Sequence, residues 1–195
     1  VISVYRRATE VSLATPGRQG STVALTPELG SDVIVTGDLH GHRANFERIC
    51  QVAALDRNPR RHLVLQEVCH GGPTYPENGG CMSHTLLEDV ADRITQFPGR
   101  VHFILGNHEL AELTDYPIQK NRQMLNVMFR FGLQQRYGGA TETVREAYVR
   151  FLRSCPLAVR LANGVFITHS LPDKLSARHF DASVFTRLPE PMEYF

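Results

Sequence analysis

The chain has 195 residues, of which 42% are hydrophobic and 21% charged, and a formal net charge of +1 at pH 7. That length suits one domain, since soluble domains commonly hold roughly 100–200 residues each, and the composition is that of an ordinary globular protein. A near-neutral charge offers no polyanion-binding face, so nucleic acid is not favoured as a partner, and no apolar stretch approaches the ~18 residues that span a bilayer. The opening Val1-Ile2-Ser3-Val4-Tyr5-Arg6-Arg7 places its basic pair after the apolar residues. A signal peptide has the reverse order, so a cytoplasmic location is the expectation. The first residue is not Met, which fits a processed chain or a piece of a longer product. The four cysteines, Cys50, Cys69, Cys81 and Cys155, form no small-scaffold disulfide framework, and Cys50 and Cys155 read as buried thiols on apolar stretches.

In chain order, residues 1–31 carry the weakest pattern. Val11–Ala14 and Thr22–Leu25 read as short strands around the turn Pro16-Gly17-Arg18-Gln19-Gly20, and Thr26-Pro27-Glu28 reads as a helix start. From Asp32 strand and helix alternate. The apolar run Val33–Thr36 is followed by Phe46, Ile49, Cys50 and Ala53 at helical spacing. After the strand Leu63–Leu65, the Gly-, Pro- and Asn-rich stretch Gly71–Gly80 is a loop, and Ser83 is placed to cap the next helix. That helix carries the stripe Leu87, Val90, Ala91, Ile94 and stops at Phe97-Pro98-Gly99; the strand Val101–Leu105 follows. Residues 109–154 read as a helical insert with two core stripes, one of Met124, Val127, Met128 and Phe131 and one of Val144, Ala147, Tyr148, Phe151 and Leu152. Leu157–Ala162 and Val165–Thr168 flank Asn163-Gly164, a hairpin signal.

Four of these apolar runs end in residues that can bind a divalent metal. Val33–Thr36 leads into Gly37-Asp38-Leu39-His40-Gly41-His42, Leu63–Leu65 into Gln66-Glu67, Val101–Leu105 into Gly106-Asn107-His108-Glu109, and Val165–Thr168 into His169. Short continuous apolar runs are the pattern of buried parallel strands, and open α/β sheets bind ligands just beyond the carboxyl ends of their strands. With these strands as neighbours, Asp38, His40, Glu67, Asn107 and His169 converge. Carboxylate, amide oxygen and imidazole together suit a pair of metals such as manganese, iron or zinc. Ordinary turn chemistry also places Asp, Asn and Gly after strands, but two such clusters at strand ends favour the metal site.

The Gly-Asp-Leu-His-Gly-His and Gly-Asn-His-Glu stretches resemble the first and third signatures of calcineurin-like metallophosphoesterases. The sub-pattern is most similar to the serine/threonine phosphoprotein phosphatases and the bacterial diadenosine polyphosphate hydrolases, a likeness that Phe97–Leu105 and Cys155-Pro156-Leu157-Ala158-Val159 share. It covers about residues 32–175. The resemblance implies an α/β fold: a single domain over 1–195, with a central mixed sheet flanked by helices and a second sheet beginning at the hairpin. It implies hydrolysis of a phosphate ester or nucleotide polyphosphate, in a small-molecule or protein substrate, by metal-bound hydroxide and without a covalent intermediate. Carried over, Asp38 and His40 are ligands of a first metal, Glu67 bridges two metals, Asn107 and His169 bind the second, and His108 is the catalytic group that assists the leaving oxygen.

The departures define a rival. The family's second signature reads Gly-Asp-x-x-Asp-Arg-Gly, whereas this chain has Gln66-Glu67-Val68-Cys69-His70-Gly71-Gly72. Glu67 adds a methylene to the bridging residue, His70 replaces the Asp that orients the catalytic histidine, and Gly71 removes an anion-clamping Arg. Ser170-Leu171 stands where the family has Gly-Gly. A further family histidine has no match before Phe195, so either the chain is truncated or the second metal is under-ligated. The alternative is therefore a catalytically degenerate metal- or phosphate-binding module of the same fold. Arg43 as a replacement clamp, and a zinc site from Cys69, His70, Cys81 and His84, are weaker readings; Glu109 reads as a support of the loop.

Overall fold

In the computed structural model, residues 1–172 and 174–194 are described; Asp173 and Phe195, which fall within or at the end of the segments read above, lie outside them. The chain opens with helix α1 (Ile2–Leu13), then strands β1 (Arg18–Gln19), β2 (Thr22–Leu25) and β3 (Asp32–Asp38). Helix α2 (Arg43–Ala53), β4 (Arg61–Gln66), α3 (Ser83–Gln96), β5 (Val101–Ile104) and α4 (Asn107–Thr114) follow. A small hairpin of β6 (Gln119–Lys120) and β7 (Gln123–Met124) precedes α5 (Leu125–Tyr137) and α6 (Thr141–Ser154), and β8 (Ala158–Leu161) and β9 (Phe166–Thr168) complete the regular strands. No described helix is long and apolar enough to cross a membrane.

Two sheets build the body. One has the order β3-β4-β5, all parallel, and the other the order β1-β2-β8-β9, in which β2 runs parallel to β8 and β9 returns antiparallel. Side chains alternate across a strand, and β4 uses both faces. Leu63 and Leu65 join the helix-side core, while Val64 meets Val23, Leu25, Ile104 and Val159 between the sheets. The result is a sheet sandwich with helices stacked on the outer face of the β3-β4-β5 sheet. The hairpin at Asn163-Gly164 forms, with Gly164 at φ 89°.

Thr22–Leu25 is the expected strand, as β2, but the segment before it departs from expectation. Val11–Ala14 is not a strand: it lies at the end of α1, whose Tyr5, Ala8 and Ser12 are buried at helical spacing while Val1, Ile2, Val4 and Val11 pack on the same core. Thr26–Glu28 is turn rather than a helix start. Ser83 does not cap α3; its hydroxyl accepts from the His70 backbone N–H at 3.0 Å and so braces the loop after β4. The stripe expected on α5 is rotated. Met124, Val127 and Phe131 are exposed, and Asn126, Phe129, Gly132 and Leu133 face inward. Two contacts fix that rotation. The Asn126 amide bonds to Ile118 N, Ala111 O and Glu112, and a Cβ at Gly132 would lie 1.9 Å from the Cys81 carbonyl oxygen. The stripe on α6 is buried as expected.

Candidate metal centre

The parallel order β3-β4-β5 puts the carboxyl ends of three strands side by side, and β9 of the facing sheet brings a fourth. Asp38 ends β3, Glu67 follows β4, His108 sits in the first turn of α4 after β5, and His169 follows β9. Their side chains meet. His169 Nε2 lies 3.3 Å from Glu67 Oε2 and 3.6 Å from Asp38 Oδ1, His108 Nε2 lies 3.5 Å from Glu67 Oε1, and His40 Nε2 lies 3.8 Å from Asp38 Oδ2. Ligand atoms of His40, Glu67 and His108 all fall within 4.8 Å of one another, close enough to share one ion. Asn107 is exposed at the first residue of α4, directly ahead of His108, and makes no side-chain hydrogen bond with described residues.

The backbone is shaped to bring these groups in. His40, Glu67 and His70 are non-glycine residues at φ 41°, 47° and 62°, a left-handed conformation that costs roughly 1–2 kcal/mol per residue and gathers at functional sites. The loops after β3 and β4 touch: a Cβ at Gly41 would lie 2.5 Å from Gly71 O, and one at Gly72 would lie 2.7 Å from Gly41 O. Glu109 supports the same loops, as its sequence position suggested. Its Oε1 accepts from the N–H groups of Val68 and Cys69, and its Oε2 from Gly106 N–H. Gly106 leaves room for Glu67, whose Oε2 would lie 1.5 Å from a Cβ there.

All three imidazoles are turned the same way. His40 Nδ1 meets the carbonyl oxygen of His70 at 3.0 Å, His169 Nδ1 meets Ser170 Oγ at 2.7 Å, and His108 Nδ1 meets His70 Nδ1 at 2.9 Å. Each Nδ1 is engaged on the outside, and each Nε2 faces the carboxylates. A metal-binding histidine is oriented in this way by the partner of its other ring nitrogen.

Electrostatics point to a cation. Glu67 Oε2 is buried with no hydrogen-bond partner among the described residues. Burial, then the nearby Glu109 and Asp38 carboxylates, push the Glu67 carboxyl up to about 9. Burial, then the His70 and His40 rings, push His108 down to about 4. Both shifts favour the neutral form of each partner in the His108–Glu67 contact, so without a cation neither group is well placed to carry its charge. A divalent ion among these groups would favour the ionised Glu67 carboxylate and give Oε2 a partner, and oxygen and imidazole donors fit such an ion.

Several weaker readings fall away. Arg43 is held by Asp89 at 2.6 Å. Cys69, His70, Cys81 and His84 do not gather round a point: His70 turns to His108 and Glu112, and His84 to Tyr75 and Glu88. Cys155 is buried, whereas Cys50 is half-exposed. The role of His70 was only half legible. Its ring does lie beside His108, with the two Nδ1 atoms 2.9 Å apart, but behind it lies Glu112, which the sequence reading missed. The usable signal was two glutamates, Glu109 and Glu112, on the inward side of a short helix; both are buried.

No curated protein matches the chain in sequence. A solved structure, described as a protein serine/threonine phosphatase from Saccharomyces cerevisiae with similarity to human phosphatase PP5, superposes with a TM-score of 0.64 at 16% identity. The match takes in 100% of this chain and 56% of that one, so the chain spans about half that protein's length. A family model for the calcineurin-like phosphoesterases matches residues 31–191. That range holds every strand end that delivers a group to the cluster, and the chain belongs to the calcineurin-like phosphoesterase family.

Proposed function

We propose that the chain is a metallophosphoesterase that hydrolyses a phosphate ester at a pair of divalent ions held by Asp38, His40, Glu67, Asn107 and His169. The single observation that carries this reading is the common orientation of His40, His108 and His169, with Nδ1 engaged outside and Nε2 directed at Asp38 and Glu67. When bound, manganese, iron or zinc supplies Lewis acidity toward the phosphoryl oxygens and lowers the pKa of water at the site. Glu67, whose carboxylate lies between His108 and His169, would bridge the two ions. Burial and the His70 and His40 rings keep the His108 imidazole neutral in the empty site; with substrate charge beside it, Nε2 would take up a proton from the attacking water and pass it to the leaving oxygen. A phosphoserine or phosphothreonine peptide and a nucleotide polyphosphate are the two substrate classes proposed.

The test is turnover of p-nitrophenyl phosphate by the manganese-loaded chain. Metal-dependent hydrolysis that drops at least about 100-fold in Asp38→Ala and His108→Gln supports the reading, on the scale of one lost acid–base group. Turnover unaffected by either change would sink it.

One observation favours the binding-module rival. Gly71, where the family carries its anion-clamping Arg, has φ 111°, and a Cβ there would lie 3.0 Å from His40 O. The backbone itself excludes the clamp, so substrate anions must be held by the ions or by other residues. Tight phosphate binding without turnover is the outcome that identifies the rival.

A further inference from the structure

Behind His108 lies a buried chain of polar groups that the reaction as described does not use. His70 Nδ1 is 2.9 Å from His108 Nδ1, and His70 Nε2 is 2.8 Å from Glu112 Oε1. Tyr148 Oη donates to Glu112 Oε2 at 3.0 Å, and Asn126 Nδ2 donates to Glu112 Oε1 at 3.1 Å. His70 is 2% exposed, Glu112 1% and Tyr148 0%. Buried polar groups persist where every member is satisfied, and here each one is.

The direction of each hydrogen bond follows from the outer end inward. The Asn126 amide is fixed because its Oδ1 accepts from Ile118 N–H at 2.9 Å, which leaves Nδ2 to donate. Burial and the Glu112 charge raise the Tyr148 hydroxyl well above its ordinary range, so it keeps its proton. Donors thus converge on Glu112, which suits a carboxylate that only accepts. His70 must then present Nε2–H to Glu112, and in the neutral ring its Nδ1 is a lone pair. His108 must present Nδ1–H to that lone pair. Its Nε2, 3.5 Å from Glu67 Oε1, is left as the atom free to take up or give a proton in the site.

We infer that Glu112, acting through His70, is the positioning residue that fixes the tautomer and ring orientation of His108. The pair replaces a single carboxylate with a carboxylate–imidazole relay one residue longer. His70 and Glu112 touch neither substrate nor metal in this account; they act only through His108. The inference rests on the phosphoesterase reading for its catalytic meaning, but its structural content stands apart from turnover.

The test uses long-range ¹H–¹⁵N spectra of the histidine rings in the purified chain, before metal is added. The expected result is His108 protonated at Nδ1 and His70 at Nε2. A His108 proton on Nε2, or a doubly protonated His70 that donates to His108, would overturn the relay. In Glu112→Gln the loss of charge and the freedom of the amide to flip should release a second His108 tautomer. With p-nitrophenyl phosphate, kcat should fall roughly 10–100-fold with KM little changed, the range seen when groups behind a functional histidine are altered. An unchanged His108 spectrum in Glu112→Gln overturns the relay as well, and if that variant does not fold, the spectrum of the unaltered chain still decides. A chain that hydrolyses nothing yet shows the expected ring protons removes the phosphoesterase reading and leaves the relay in place.

Discussion

At the scale of single residues, the site is a set of close fits between glycines and carboxylates. Gly106→Ala places a methyl 1.5 Å from Glu67 Oε2, so Glu67 must swing out of the cluster. Manganese retention measured by elemental analysis should be lost in this variant while the chain remains folded; normal retention would show that Glu67 is not a ligand. A second prediction follows from protons. In the metal-free chain Glu67 is raised from 4.5 to about 9, so its contribution to stability is fully present below pH 4.5 and is lost as pH rises toward 9. His108 is lowered from 6.5 to about 4, so its contribution is present above pH 6.5 and is lost as pH falls toward 4. Only Glu67 acts between pH 6.5 and 9, where the metal-free Tm should decline with a slope that metal abolishes, because ligation requires the ionised carboxylate. Calorimetry in buffers of different ionisation heat should show about one proton released per chain on metal binding at pH 7; no release would contradict the assignment. The residues that gather at the strand ends were legible because Asp, His and Glu sat at the ends of apolar runs. Glu112 was missed although it lies one turn after Glu109 on the same helix, and Tyr148 and Asn126 had no spacing rule to reveal them, since their hydrogen bonds to Glu112 are tertiary.

Among the elements, legibility followed the strength of the local pattern. The parallel strands β4 and β5 were readable because burial on both faces leaves continuous apolar runs, β3 because its apolar run persists although it is an edge strand with Val35 exposed, and α3 and α6 because their apolar residues recur every three or four positions. Helix α1 was misread. Its inward face is held by Tyr5, Ala8 and Ser12, and only the first of these is a large hydrophobe. Its docking partner is α6: the Tyr5 ring stacks on Phe151 at 5.7 Å, and Phe151 stacks on Phe103 of β5 at 6.4 Å. Phe151 is 0% exposed. Phe151→Ala should therefore destabilise the fold by about 3–5 kcal/mol, the usual range for a buried phenylalanine, read as a lower urea midpoint. A loss below about 1 kcal/mol would mean that α1 and α6 do not depend on this ring stack. The α5 error has the same origin: its rotation is set by the Asn126 hydrogen bonds and the close approach at Gly132, two tertiary effects that hydrophobic periodicity does not encode.

For the molecule as a whole, two sheets packed face to face hold the loops that follow β3, β4, β5 and β9 around one point. Function then lies in what those loops carry. Metal should tie the two sheets together through Asp38, Glu67 and His169. At 100 times Kd the linkage is about 2.7 kcal/mol, enough to raise Tm measurably. As proposed, these loops form a two-metal hydrolytic centre despite the altered stretch Glu67–Gly72. Elemental analysis of the manganese-loaded and desalted chain tests it most directly. Close to two ions per chain are expected, falling below one in Glu67→Ala. Fewer than one ion in the unaltered chain would contradict it.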